Sequence, residues 1–300
     1  MECTLKTSSD DEFCKSTSHF TRSKVIICFT QFKSKEKDII LKKYDPVQVG
    51  YLSEKCIAVD EHDNIIGGVT KGNAHNVATM SLHRAFSLFA FTPDKRLILQ
   101  KRSAKNIPYG LGESLQKRLL ILQSYKLLRE ASNLCYKTYV SICNGSLSQI
   151  TFPCLWTNTC CSHPLFTANE QSGTAGVIAA VIRKVKHELG VVDLDPKKCY
   201  VMGRFLYKAV GADMVWGEQE LDYAIVARNF EFDQLLPNPE EVSDIKAVDE
   251  QELAHWVATE YSSFSPWFQL FYRLRFLSEW WSNIDQIEHH PVDMNIVRMN

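Results

Sequence analysis

The chain has 300 residues, 45% of them hydrophobic, and 34 Lys and Arg against 35 Asp and Glu give it a formal net charge of -1. That length and apolar content support a full core, as one large domain or one domain with appendages, while the even charge balance excludes the basic face that nucleic-acid binding requires. The ten cysteines include no CxxC pair and no zinc-ribbon spacing. A chain this apolar does not need a disulfide framework, so reduced thiols and an intracellular setting are expected.

Residues 1–48 are rich in Ser, Thr and Lys with weak periodicity, and an N-terminal extension to about residue 50, partly disordered, is expected. The first fifteen residues lack the apolar core of a secretory signal, and the apolar run 25–29 is far short of the about 20 residues that span a bilayer. Asp10, Asp11 and Glu12 argue against a mitochondrial presequence, and the terminal IVRMN is not a peroxisomal SKL signal. These features predict a soluble, cytoplasmic protein, with peroxisomal or mitochondrial placement left open.

Order is expected from Glu54. KCIAVD, EHDN and IIGGV read as a β-hairpin, and HRAFSLFAF, TPDK and RLILQKRS as a second, with Phe86, Leu88 and Ala90 alternating against Ser87 and Phe89. Residues 106–149 differ. Leu120, Leu127, Leu128, Ala131, Leu134 and Cys135 share one helical face with basic residues around it, as in a surface helix inserted into a loop. From Thr174 an apolar stripe of Val177, Ile178, Val181, Ile182, Val185 and Leu189 predicts a helix capped by Gly190. Residues 200–208 and 218–227 read as strands, and Ser265-Pro266 as the start of one helix through Trp281. Short strands alternating with helices, without a regular βαβ repeat, give an α/β fold with a mixed sheet flanked by helices.

The chemistry concentrates in residues 150–164, ITFPCLWTNTCCSHP. Cys161 and His163 are two apart, so in extended chain both face one pocket; alone, such a loop reads equally as buried small hydrophobes beside a surface histidine. Glu218 and Glu220 share a strand face, which alone reads as a solvated strand edge; if they are buried, two acids so close repel unless a cation or a shared proton relieves them. His75, His83 and His163 sit at element boundaries, and with the two acids would make a mixed N/O site for Mn, Mg or Zn. Glu188 is either an oxygen ligand for Mg bound to substrate phosphates or the partner of Lys184 in an i,i+4 surface pair. Lys71, Arg102 and Lys105 are each an ordinary solvated charge when read singly, and clustered would be the fixed positive charge a diphosphate requires.

The segments SEKCIAVDEHDNIIG, LHRAF, RLILQKRSAK, TFPCLWTNTCCSHPL, RKVKHELG, WGEQELDY and SPWF, which cover nearly all of residues 51–282 outside the insertion, resemble type I isopentenyl-diphosphate delta-isomerases of the Nudix superfamily. The resemblance implies a Nudix-like α/β/α sandwich and a metal-dependent interconversion of isopentenyl and dimethylallyl diphosphate. It implies Cys161, Glu220 and Tyr207 as catalytic residues, and His75, His83, His163, Glu218 and Glu220 as ligands of a divalent ion (Mg2+, Mn2+ or Zn2+). It further implies Glu188 as the acid for a substrate-associated Mg2+, and Lys71, Arg102, Lys105, Lys184 and Trp267 as substrate contacts. The implied partner is a small prenyl diphosphate met by a monomer, with no nucleic acid and no membrane span.

Two departures stand out. Lys184 replaces the family's Arg, keeping the charge and losing the bidentate fork, and residues 106–149 replace a very short loop. The domain is therefore expected to run over 51–300 with 106–149 inserted. The alternatives are a Nudix diphosphate hydrolase, disfavoured because the 174–190 helix keeps only Glu188 of the acids a hydrolase wants, and a silent family member with a regulatory or binding role.

Overall fold

A computed structural model describes residues 46–103 and 150–299. The expected insertion, Lys105 and nearly all of the N-terminal extension lie outside these residues. The fold starts earlier than the sequence suggests, with a short helix α1 (Pro46–Tyr51) ahead of Glu54.

The first hairpin forms as read, from β1 (Lys55–Val59) and β2 (Ile65–Thr70). Its turn is tied by Asp60, whose carboxylate accepts from the amides of His62 and Asn64 at 2.9 Å each. A one-turn helix α2 (Lys71–His75) leads to β3 (His83–Phe91) and β4 (Leu97–Arg102). Strand pairing between these two is limited to Phe91 and Leu97, so the second hairpin is splayed open beyond its turn. Instead, β3 runs parallel to β8 (Gly217–Arg228), pairing His83 with Glu220 through to Phe91 with Arg228, and antiparallel to β6 (Cys160–Ser162). A strand in mid-sheet is covered on both faces, and all nine residues of β3 are buried. Their alternation still has meaning: Phe86, Leu88 and Ala90 enter one core layer, Phe89 and Phe91 the other.

The remaining strands are β5 (Trp156–Thr157), β7 (Cys199–Val210), β9 (Val242–Val248) and β10 (Ile296–Arg298), and they complete a ten-stranded mixed sheet. Its main path runs β10-β7-β8-β3-β1-β2, with β4 joined to β3, β5 and β9. Helix α3 (Gly173–Leu189) covers one face through Val177, Ala180, Val181, Val185 and Leu189, as the stripe predicted. Each such buried valine or leucine contributes roughly 1.5–3 kcal/mol. Gly190 ends the helix at φ 73°, where a Cβ would also lie 2.8 Å from Leu236.

Helices α4 (Glu250–Glu260), α5 (Pro266–Arg273) and α6 (Phe276–Ser282) follow β9. Trp267, Phe268 and Phe271 of α5 and Leu277 and Trp280 of α6 pack on the opposite face of the sheet. The single C-terminal helix expected from the sequence is thus two, broken at Arg275, which takes a left-handed φ of 67°. The result is the expected α/β/α arrangement. Among the described residues no helix is long and apolar enough to cross a membrane.

The described residues on either side of 104–149 lie next to one another. Gln100 pairs with Thr157 and Lys101 with Trp156, and the Arg102 carbonyl accepts from the Cys154 amide at 3.1 Å. Cys154 is disulfide-bonded, which corrects the expectation of reduced thiols throughout; Cys56, Cys160, Cys161 and Cys199 are free.

Candidate active site and metal centre

The sheet places its chemistry at one end of β3, β6 and β8. Register opposes His83 to Glu220 and sets Cys161 beside Ser87, while α2 brings His75 over the same end. A cavity of about 300 Å³ opens there, lined by Cys161, Glu218, Glu220 and Tyr207 together with Arg102, Lys184 and Glu188. Trp267 closes the apolar wall.

His75, His83, His163 and Glu220 converge so that their ligand atoms all lie within 4.8 Å of one another. Backbone carbonyls orient two of the rings: Nδ1 of His75 is 3.0 Å from the Gly217 oxygen, and Nδ1 of His83 is 2.8 Å from that of Ser81. A carbonyl only accepts, so each Nδ1 carries the proton and each Nε2 presents a lone pair. Nε2 of His83 is buried with no hydrogen-bond partner, its nearest acid being Glu220 Oε1 at 3.6 Å. Burial, with the neighbouring imidazoles, holds His75 well below its ordinary range, and burial pushes His163 down to about 4. Neutral imidazoles beside an ionised acid are what a divalent cation needs, and the unpartnered His83 nitrogen is a place for one. The residues fit the ion that the sequence implied.

Burial is the largest influence on Glu220 and works to raise it, but His163, whose Nε2 lies 2.7 Å from Glu220 Oε1, outweighs burial and keeps the carboxylate ionised. Glu218, expected as a fifth ligand, lies outside the four-donor group. Its Oε2 is 2.9 Å from the Tyr207 hydroxyl, which also reaches Glu220 Oε2 at 2.5 Å. Burial, followed by the charge of Glu220, pushes Glu218 up to about 8.

Cys161 is a thiol here. Burial raises it far above the ordinary cysteine range, although the Arg102 guanidinium, with Nη1 3.4 Å from Sγ, pulls the other way. Arg102 also donates to the Thr151 carbonyl, at 3.2 Å from Nε and 2.9 Å from Nη2, and its guanidinium stacks 5.5 Å from the Trp267 ring centre. The indole Nε1 of Trp267 donates to Asn158 Oδ1 at 2.8 Å.

At the mouth, Lys71 pairs with Glu54 at 2.5 Å. Lys184 sits between Glu188 at 3.0 Å and Glu241 at 3.6 Å. The Lys184–Glu188 pair is therefore buried, not the surface pair that spacing alone allows. Glu188 Oε2 also accepts from Gln100 Nε2 at 3.0 Å. Tyr51, Glu54, Arg183 and Glu241 line the cavity without having been singled out from sequence. Arg183, next to Lys184, and Glu54, in SEKCIAVDEHDNIIG, lie in segments that the sequence marks; Glu241 sits in one that carries no signal.

The Cys161 thiol and the Glu220 carboxylate thus share one cavity with a His/Glu group that could hold a metal ion. Among curated proteins the chain is 34% identical over 269 residues to isopentenyl-diphosphate Delta-isomerase I of Camptotheca acuminata, covering 84% of this chain and 94% of that one. It is 32% identical over 265 residues to isopentenyl-diphosphate Delta-isomerase 1 of Mesocricetus auratus, covering 85% and 96%. The chain belongs to the isopentenyl-diphosphate Delta-isomerase family. No family profile matches it. Among solved structures, DR0079 from Deinococcus radiodurans is similar with a TM-score of 0.44 at 12% identity over 73% of this chain and 98% of that one. A Nudix hydrolase from M. smegmatis, RenU, has a TM-score of 0.32 at 14% identity, covering 74% and 94%.

Proposed function

We propose that this chain, one domain with an N-terminal extension (1–50) and an insertion (106–149), converts isopentenyl diphosphate to dimethylallyl diphosphate as a cytoplasmic monomer. Cys161 and Glu220 are its proton donor and acceptor. The observation that carries this reading is geometric: Cys161 and Glu220 line one cavity, beside the group of His75, His83, His163 and Glu220 whose ligand atoms all lie within 4.8 Å of one another.

Moving the double bond requires a proton at the terminal methylene carbon and loss of one from the carbon on the diphosphate side. The π electrons take the Cys161 proton, the C–H electrons form the new double bond, and Glu220 receives the departing proton. Arg102, 3.4 Å from Sγ, stabilises the thiolate left behind. The tertiary cation between these events lies against the face of Trp267, which attracts it and excludes water. Tyr207 orients the acceptor through its bond to Glu220. A divalent ion, Mg2+, Mn2+ or Zn2+, held by His75, His83, His163 and Glu220, would supply a fixed charge that keeps Glu220 ionised.

Lys71, Arg102 and Lys184 meet the diphosphate, the unreacting handle whose binding positions the alkene. Glu188, beside Lys184, is the acid for Mg2+ carried in with that group, and Lys105 belongs to the same set by sequence alone. The test is conversion of isopentenyl diphosphate by the full chain, with and without chelator, against Cys161→Ala and Glu220→Gln. Each variant should lose at least 1000-fold in turnover, the scale of a displaced proton-transfer group. Near-normal turnover in either would overturn the assignment, and release of phosphate would point to a hydrolase instead.

A further inference from the structure

We propose that Arg183 and Glu170 are a positioning pair for the metal centre, fixing the main chain that carries His163 so that their loss weakens cation binding while the fold persists. This rests on the reading of His75, His83, His163 and Glu220 as one cation site.

Three of the four donors are fixed without this pair. His83 opens β3 with its ring bonded to the Ser81 carbonyl, His75 closes α2 with its ring bonded to the Gly217 carbonyl, and Glu220 lies within β8 against Tyr207. His163 is different. It follows β6, which ends at Ser162, and among the described residues no carbonyl orients its Nδ1. Its ring is held at Nε2 by Glu220 Oε1, 2.7 Å away, and otherwise takes its direction from its backbone.

That backbone is caught from the side. Nη2 of Arg183 donates to the His163 carbonyl at 3.1 Å. The same guanidinium donates to Glu170, from Nε to Oε1 at 2.6 Å and from Nη2 to Oε2 at 2.9 Å. Glu170 Oε2 also accepts from the Leu165 amide at 2.6 Å. The carbonyl of residue 163 and the amide of residue 165 thus end on one ion pair. The pair is anchored in turn: Glu170 is 4% exposed, and a Cβ on Gly176 of α3 would lie 2.3 Å from its carbonyl oxygen, so helix and loop are in direct contact. Only a planar guanidinium grips a carboxylate with two N–H groups and spares a third for a carbonyl. Removing groups that orient metal ligands typically weakens cation binding about 10–100-fold.

An ion pair that merely holds a loop to a helix would change stability and leave cation affinity alone, and the experiment separates the two. The full chain, stripped with chelator, is titrated with Co2+ and followed by its visible d–d absorption, alongside Arg183→Lys and Glu170→Gln, with a melting temperature for each. The unsubstituted chain should develop the band of a histidine-containing site. Both variants should remain folded and bind Co2+ about 10–100-fold more weakly, with an altered band, and the double variant should be no weaker than the weaker single. If the unsubstituted chain binds no Co2+, the cation-site reading falls and takes this inference with it. If it binds and Arg183→Lys binds within twofold of it, the inference alone is overturned. Should Glu170→Gln fail to fold, Arg183→Lys decides by itself.

Discussion

Replacing Glu218 by Gln in the metal-free protein should abolish a pH dependence of stability that the native cavity imposes. Tyr207 has one hydroxyl proton, yet its oxygen lies 2.9 Å from Glu218 Oε2 and 2.5 Å from Glu220 Oε2. One proton does not satisfy two carboxylates. The count closes when Glu218 keeps its own proton and donates to the Tyr207 oxygen while Tyr207 donates to Glu220. Burial first, and the charge of Glu220 second, push Glu218 up to about 8 from an ordinary value of 4.5, which makes it a neutral acid at pH 7. Because the folded state binds this proton more tightly than the unfolded chain, the contribution is complete below pH 4.5 and is lost as the pH rises through about 8. At about 1.4 kcal/mol per pH unit, the upper bound on that loss is about 5 kcal/mol. Gln cannot ionise and its amide still donates to Tyr207. Urea midpoints of variant and parent, measured in chelator, should therefore diverge in the variant's favour between pH 5 and pH 8, since all other groups cancel in the difference. A difference that stays constant across that range would refute a protonated Glu218 and the relay through Tyr207.

Trp267→Phe keeps an aromatic face but breaks the bond to Asn158; turnover should fall about 10-fold, the worth of about 1.4 kcal/mol, while affinity for an unreactive alkyl diphosphate, measured by calorimetry, stays within threefold. Asp63 is buried beneath β3, paired with Arg84 at 2.6 Å and Arg204 at 3.2 Å and accepting from the Tyr223 hydroxyl. Asp63→Ala leaves those cations unpaired and should cost about 3–5 kcal/mol in urea denaturation, and a loss under 1 kcal/mol would show the network to be idle. Replacing residues 104–149 by six Gly and Ser residues joins chain ends that already run side by side, and the shorter closure should stabilise the fold by about 2 kcal/mol. That comparison belongs in reductant, which removes the Cys154 disulfide, and a large destabilisation would mean that the excised segment contributes packing of its own.

What could be read from sequence was whatever obeys a short-range rule. The stripe from Val177 to Leu189 and Gly190 after it reproduce α3 to within a residue, and the i,i+2 spacings of Cys161 with His163 and of Glu218 with Glu220 did put each pair beside one cavity. What could not be read was which strands become neighbours. HRAFSLFAF followed by TPDK has the pattern of a hairpin, and only the tertiary parallel pairing of β3 with β8 explains why the turn leads away and why His83 meets Glu220. The single C-terminal helix failed for another reason: nothing in YRLRFL announces a left-handed residue, and Arg275 takes that conformation so that Phe271 and Phe276 can both pack on Phe205.

The same long-range pairing decides how charge is distributed at the mouth of the cavity. Lys71 is balanced by Glu54, Arg183 by Glu170, and Lys184 by Glu188 and Glu241. Among the described residues Arg102 alone of these lining cations has no carboxylate within salt-bridge distance; it rests on a carbonyl, a thiol and the face of Trp267. A multiply charged anion entering here finds one uncompensated guanidinium and three cations already neutralised. It must either take Lys71 and Lys184 from their partners or bring positive charge with it. Freed in that exchange, the buried Glu188 would lose its ion pair with Lys184, and burial makes that costly unless a cation arrives with the anion. Substrate and ion are therefore expected to bind with positive coupling, each raising the affinity for the other by the same factor.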